Sequence, residues 1–195
     1  MLRFDKADFF RNGHSKVSCN GFFGLINTEG HEVVPIQYDE VSMVAEDMAA
    51  VRLGERWGLW SLEGREITEP VYAQIKPFSE GLAAVLQAGK WGYLDRTGNP
   101  VIALRYDKAG CFAEGLAPVK EGLSWGYLDV TGRLAVSCCY DDAGGFSTER
   151  AWVKKNGLWG LIDRAGQEIL SCRYQQRPLH SFGSGPGAVL HEGRF

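Results

Sequence analysis

No stretch of this 195-residue sequence approaches the roughly 18 consecutive apolar residues that a helix needs to cross a membrane, so no spanning helix is expected. Positive charge is not in excess. Twenty-one Lys and Arg stand against 24 Asp and Glu, for a net charge of −3. Nucleic-acid affinity comes mainly from cations that neutralise phosphates, so nucleic acid is not an expected partner. Apolar residues at i, i+3, i+4 and i+7 are sustained nowhere, which argues against helix.

Residues that carry chemistry are sparse or wrongly spaced. The four histidines, His14, His31, His180 and His191, are scattered. His31-Glu32 and His191-Glu192 begin like a zinc-protease motif, but neither has the second histidine four places after the first. The five cysteines, Cys19, Cys111, Cys138, Cys139 and Cys172, have no zinc-knuckle spacing, and the adjacent pair Cys138-Cys139 would form a strained disulfide. Free thiols in a reducing compartment are the expectation. Gly-Leu-Trp-Gly and Gly-Phe-Phe-Gly are not phosphate loops, because no Lys-Ser or Lys-Thr follows them. No serine or cysteine has an identifiable base. The sequence therefore points to a protein without catalytic residues, cofactor or metal.

What the chain does have is a period. Trp57-Gly58, Trp91-Gly92, Trp125-Gly126 and Trp159-Gly160 are 34 residues apart, and Phe23-Gly24 continues the series backwards. A fixed period of this length decides the architecture before any other reading. Five units run 4–37, 38–71, 72–105, 106–139 and 140–173, with a partial unit at 174–195, all in a single domain spanning 1–195. Each unit opens on an aromatic (Phe4, Tyr38, Tyr72, Tyr106, Tyr140, Tyr174), and an aspartate follows it at Asp5, Asp39, Asp107 and Asp141. A second bulky column holds Phe10, Val44, Phe78, Phe112 and Phe146.

Within a unit, a short alternating run such as Ala83-Ala84-Val85 reads as a half-buried strand. A glycine-rich loop follows, then the Trp-Gly strand. That strand ends in a turn built on Asn27, Ser61, Asp95, Asp129 or Asp163, with glycine three residues later (Gly30, Gly64, Gly98, Gly132, Gly166). An Asx side chain caps such a turn, and glycine accepts its positive φ. The same aspartates could be read as a calcium ladder, but the turn explains them more simply. A third apolar pair, such as Val33-Val34 or Val101-Ile102, completes three predicted strands.

A lone 34-residue meander cannot bury its tryptophan, so stacked units are expected to enclose the four indoles as a spine. The glycine after each tryptophan would admit another backbone, or the next ring, at close range. The fold class is all-β: tandem three-stranded repeats in an open twisted array, with a closed five-bladed propeller-like ring as the alternative. Atypical end units favour the open form. Asn12-Gly13-His14-Ser15 replaces the central Glu-Gly-Leu-Ala, and a two-residue insertion near 181–187 would bring Phe195 into the tryptophan column. An open array leaves strand edges that can pair two chains.

The pattern Lys-Trp-Gly-Tyr-Leu-Asp-x-x-Gly, then Tyr-Asp, then Glu-Gly-Leu-Ala-x-Val, resembles the WG (KWG) repeat of bacterial proteins across essentially the whole chain. The resemblance implies a β-rich binding scaffold more than an enzyme, and it transfers no catalytic residue. Members of that family sit beside bacterial toxin systems. It therefore implies a protein partner, such as a toxin or effector neutralised in the manner of an immunity protein. The Trp/Tyr-Asp-x-x-Gly hairpin also resembles choline-binding repeats, and this makes a carbohydrate or cell-wall ligand the alternative. Residues 1–5 have no apolar signal region, and Phe4 already sits in the repeat register, so a cytoplasmic protein is expected, or one exported without an N-terminal signal.

Residues shared by all units hold the fold, so a binding site is sought where one unit departs. Trp152 stands in the column of Lys16, Ala50, Ala84 and Pro118. Alternation about Ala151 and Val153 points its ring outward beside Arg150 and Lys154, and an exposed tryptophan next to arginine is hot-spot composition. The alternative is a ring folded over a neighbouring unit.

Overall fold

The computed structural model describes residues 4–177, and these contain strands and turns without helix. The placement of Phe195 in the tryptophan column lies outside the described residues. Five four-stranded antiparallel meanders follow one another along the chain. The first comprises β1 (Lys6–Ala7), β2 (His14–Cys19), β3 (Phe22–Asn27) and β4 (Glu32–Tyr38). The second holds β5 (Glu40–Val44), β6 (Met48–Leu53), β7 (Arg56–Ser61) and β8 (Glu66–Tyr72). The third holds β9 (Gln74–Ile75), β10 (Leu82–Gln87), β11 (Lys90–Asp95) and β12 (Pro100–Tyr106). In the fourth are β13 (Lys108–Ala109), β14 (Leu116–Glu121), β15 (Ser124–Asp129) and β16 (Leu134–Tyr140). The fifth has β17 (Asp142–Ala143), β18 (Arg150–Lys155), β19 (Leu158–Asp163) and β20 (Glu168–Tyr174).

Each unit thus has four strands where three are predicted. The additional first strand is only two residues long in four of the five sheets, too short to show an alternation. The sheets also end, rather than begin, on the periodic aromatic. Inter-sheet packing follows chain order, and among the described residues no strand of the fifth sheet pairs with one of the first. This is the open array of β-repeats.

The periodic residues have local causes. The aspartate after each aromatic reaches the hairpin between the second and third strands of its own sheet. There Asp5, Asp39, Asp107 and Asp141 accept the backbone N–H of Asn20, Gly54, Gly122 and Gly157 at 2.6, 2.6, 2.7 and 2.8 Å. At the next turn the Oδ1 of Asp95 accepts the N–H groups of Thr97 and Asn99, and Asp129 does the same for Thr131 and Arg133. Asn27 and Asp163 repeat the geometry. These are Asx turns.

The hydroxyls of Thr97 and Thr131, together with those amides, hold the Asp95 and Asp129 carboxyls below the ordinary aspartate range. The folded state therefore binds these protons less readily than the unfolded chain. The resulting stabilisation is complete above an unfolded value of about 3.9 and is lost as pH falls through the lower folded values. Urea midpoints measured from about pH 5 to pH 2 should fall for the wild type and fall less steeply for Asp129→Asn, which keeps an Asx acceptor but has no proton to take up.

The glycine after each tryptophan is required by a crossing backbone. A Cβ on Gly92 would lie 2.5 Å from the Ile102 carbonyl oxygen and 2.9 Å from both the Ala103 carbonyl carbon and the Leu104 nitrogen. Gly24, Gly58, Gly126 and Gly160 meet the equivalent carbonyl at 2.5–2.7 Å. The neighbour is the last strand of the same sheet, which bulges across the glycine: Trp91 pairs with Tyr106 but Tyr93 with Ile102.

Successive units are clipped by a glutamate just before the second strand, in Glu46-Asp47-Met48-Ala49 and in the two Glu-Gly-Leu-Ala turns that begin at Glu80 and Glu114. Glu46 accepts the N–H of Gly81, Glu80 that of Gly115, and Glu114 those of Thr148 and Glu149. Glu80-Gly81 and Glu114-Gly115 form the turn, with both members of each pair at positive φ. Position 12 is asparagine, and no such clip joins the first two sheets among the described residues.

The deepest side chains are not the tryptophans. Leu25, Leu59, Tyr93, Tyr127 and Leu161, two places after the Trp/Phe column, are 0–1% exposed. Trp91 is buried, whereas Trp57, Trp125 and Trp159 are half-buried. Cations lie over three of the rings: Arg52 over Trp57, Lys76 over Trp91 and Lys154 over Trp159. The expected indole spine is therefore a flank of the core. The indole opposes the periodic tyrosine near the end of the last strand, and the buried core side chains of the described residues cluster at the seams between successive sheets. Cys138 and Cys172 are half-buried free thiols, and desolvation raises both above the ordinary thiol range.

Candidate functional site

Trp152 does not face outward. It lies on β18, the second strand of the fifth sheet, and the second strand of an inner sheet is covered on both faces. In the third sheet, Ala83 and Val85 pack with Leu59 of the preceding unit, while Ala84 packs with Phe112 and Ala117 of the following one. Alternation consequently separates two neighbours instead of separating core from solvent. Trp152 is 6% exposed, and Ala50, Ala84 and Pro118 of the same column are likewise buried. Arg150 is exposed and in register with Asp163, and Lys154 is half-buried with its ammonium 5.8 Å from the Trp159 ring. The three side chains do not form an open aromatic site.

The seams between sheets are more informative. Between the third and fourth sheets, Tyr93 meets Phe112 edge-to-face at 4.9 Å and donates its hydroxyl to the Gly110 carbonyl at 2.8 Å. Tyr127, Phe146 and Gly144 repeat this between the fourth and fifth, at 4.8 and 2.7 Å. Burial pushes both phenols well above the ordinary tyrosine range, so they remain donors. At the first seam the same columns hold Leu25 and Val44. A cavity of about 620 Å³ opens there. The buried Leu25 and Val41 line it internally, and Ala7, Asp8, Phe9, Arg11 and Lys16 line it toward solvent.

A second feature runs along the last strands β8, β12, β16 and β20, each hydrogen-bonded on one side only. They expose Val71, Val101, Leu104, Leu134 and Ile169. The sequence pattern groups Val101 with Ile102 as one apolar pair, but the structure divides them, at 41% and 6% exposure. Which member faces outward depends on the bulge over the glycine, and that contact is made by the following strand. The change of columns at Leu25 and Val44 is visible in the repeat alignment. Phe9 lies between the columns, so the period carries no signal for it.

The model of the family described as "WG containing repeat" matches residues 23–57, 57–91, 91–122, 125–159 and 159–185. No curated protein matches the chain. Among solved structures, Hsv2 of Kluyveromyces lactis is similar at 12% identity and a TM-score of 0.48, over 80% of this chain and 58% of that one. Hsv2 of Kluyveromyces marxianus is similar at 11% identity and a TM-score of 0.49, over 80% and 57%. PorZ, a bacterial surface component of the type-IX secretion system of Porphyromonas gingivalis, is similar at 8% identity and a TM-score of 0.45, over 87% and 26%. The chain spans roughly six-tenths of the Hsv2 structures, and these are similarities of fold alone.

Proposed function

The chain belongs to the WG-repeat family, and we propose that it is a non-catalytic scaffold that binds a protein partner in the cytoplasm, where its thiols stay reduced. The observation that supports this reading is the exposed apolar series Val71, Val101, Leu104, Leu134 and Ile169, presented on the last strands of four successive sheets. Repeated apolar side chains beside unpaired strand edges form a surface that a protein covers well, with main-chain hydrogen bonds at the edge and side-chain burial beside it. The partner we favour is a toxin or effector that the array neutralises by covering it, the role that the family resemblance suggests.

A carbohydrate ligand needs open aromatic faces. The repeated indoles offer little of this, because Trp91 is 7% exposed and cations lie over Trp57 and Trp159.

The test is affinity capture from the native cell with the wild type and with a Val101→Glu, Leu104→Glu double variant. Both positions are exposed, so the melting temperature should hold while a stoichiometric protein partner is lost. Retention of that partner by the double variant would remove the outer strands as the binding surface. If the partner arrests growth when expressed alone and co-expression of the wild type, but not the variant, relieves the arrest, the neutralising role follows.

A further inference from the structure

The first seam carries more than a gap. Phe9 is 94% exposed, and the neighbouring Phe10 is 51% exposed although its equivalents Phe78, Phe112 and Phe146 are 2–4% exposed. Phe9 is part of the lining of the cavity of about 620 Å³. That volume is within the roughly 300–1,000 Å³ of sites that enclose a ligand of ring size or larger. In the two later seams, a phenylalanine ring packed on a tyrosine occupies the corresponding place, and here neither aromatic is supplied.

Charge lies in the same patch and has both signs. Asp8, Arg11 and Lys16 line the cavity. Lys16 lies 4.6 Å from the Phe23 ring, whereas neither the Asp8 carboxylate nor the Arg11 guanidinium is in an ion pair among the described residues. A knob, a hole, an anion and cations on one patch are the ingredients of a surface complementary to itself. A two-fold interface requires this property, since it brings the same patch of both copies together. A patch of one sign would repel its own copy, whereas this one can set aspartate against arginine in both directions.

We propose that the mouth of the first seam is a two-fold interface between two copies of this chain, with Phe9 of each copy seated in the seam cavity of the other and Asp8 of each opposite Arg11 of its partner. The interface uses the first and second sheets, leaving the exposed outer strands of the third to fifth sheets available on both copies.

Sedimentation velocity on the full chain, over about a hundredfold range of concentration, tests this directly, because mass action moves a dimer and leaves a monomer unchanged. The wild type should run as a dimer at the upper end. Phe9→Asp, a change at a nearly fully exposed position, should weaken the dimer by about thirtyfold or more, as expected for the central residue of an interface. Asp8→Arg and Arg11→Asp should each be monomeric alone and should dimerise when mixed, since only the mixed pair opposes unlike charges. A wild type that stays monomeric throughout overturns the proposal. So does a dimer that survives Phe9→Asp, or a mixture of the two charge variants that fails to associate.

Discussion

Gly92→Ala lowers the urea midpoint of the array by an amount equivalent to about 3 kcal/mol, the upper part of the usual overpacking range. The reason is the kind of atom in the way. The added Cβ would sit 2.5 Å from the Ile102 carbonyl oxygen and 2.9 Å from the Ala103 carbonyl carbon and the Leu104 nitrogen, all three backbone. Rotation of a side chain cannot relieve the collision, so β12 must leave its path across β11, and with it the bulge that places Tyr106 opposite Trp91. Gly145→Ala is the control. Gly145 has an ordinary φ and open space around its Cβ, so alanine there should change stability by less than about 0.5 kcal/mol. Far-UV circular dichroism in urea on both variants measures the difference, and equal midpoints would remove the crossing strand as the reason for the Trp-Gly pair.

Trp91→Ala should cost about 3–5 kcal/mol and lower the melting temperature by about 10 °C or more. Trp91 is the repeat-column indole that is fully buried, at 7% exposure, and it shares a core cluster with Tyr106, Ala109, Phe112 and Val119. Its loss opens the seam between the third and fourth sheets, in the middle of the array, where both flanking units depend on the contact. In a linear array each unit is stabilised by its neighbours, so damage there spreads in both directions. Trp159→Ala removes a half-buried ring from the fifth sheet and should cost about half as much, in proportion to the smaller area buried. Differential scanning calorimetry on the pair separates the two positions. Equal losses would restore the uniform indole spine that the sequence alone suggests.

The contrast between these tryptophans shows how much was legible in the sequence. The period of 34 residues, the all-β class, the Asx turns at Asp95, Asp129 and Asp163, and a close approach at Gly92 are all readable from residue types, because each depends on chemistry local to one unit. Asp107 binding the Gly122 amide and Glu80 binding the Gly115 amide are equally regular, yet their roles were not readable. Both contacts join residues 15 or 35 positions apart, and spacing does not show which amide a carboxylate meets. The two-residue first strands were missed because pairing, and not alternation, defines them.

Trp152 marks the boundary most clearly. Alternation placed its neighbours in the core and its ring in solvent, a sound inference for a sheet with one wet face. The second strand of an inner sheet is packed between two other sheets, so both of its faces are interior, and Trp152 on the fifth sheet is buried as well. The sequence by itself determined the unit, its turns and the order in which copies follow. The tertiary structure alone decided which faces are covered, that a cavity reaching Leu25 and Val41 opens at the first seam whereas Tyr93 packs on Phe112 at a later one, and that Val101 is exposed while Ile102 is not. A periodic sequence specifies what each repeat contains, but burial depends on what the neighbouring repeat places against it, and that is settled only when the units stack.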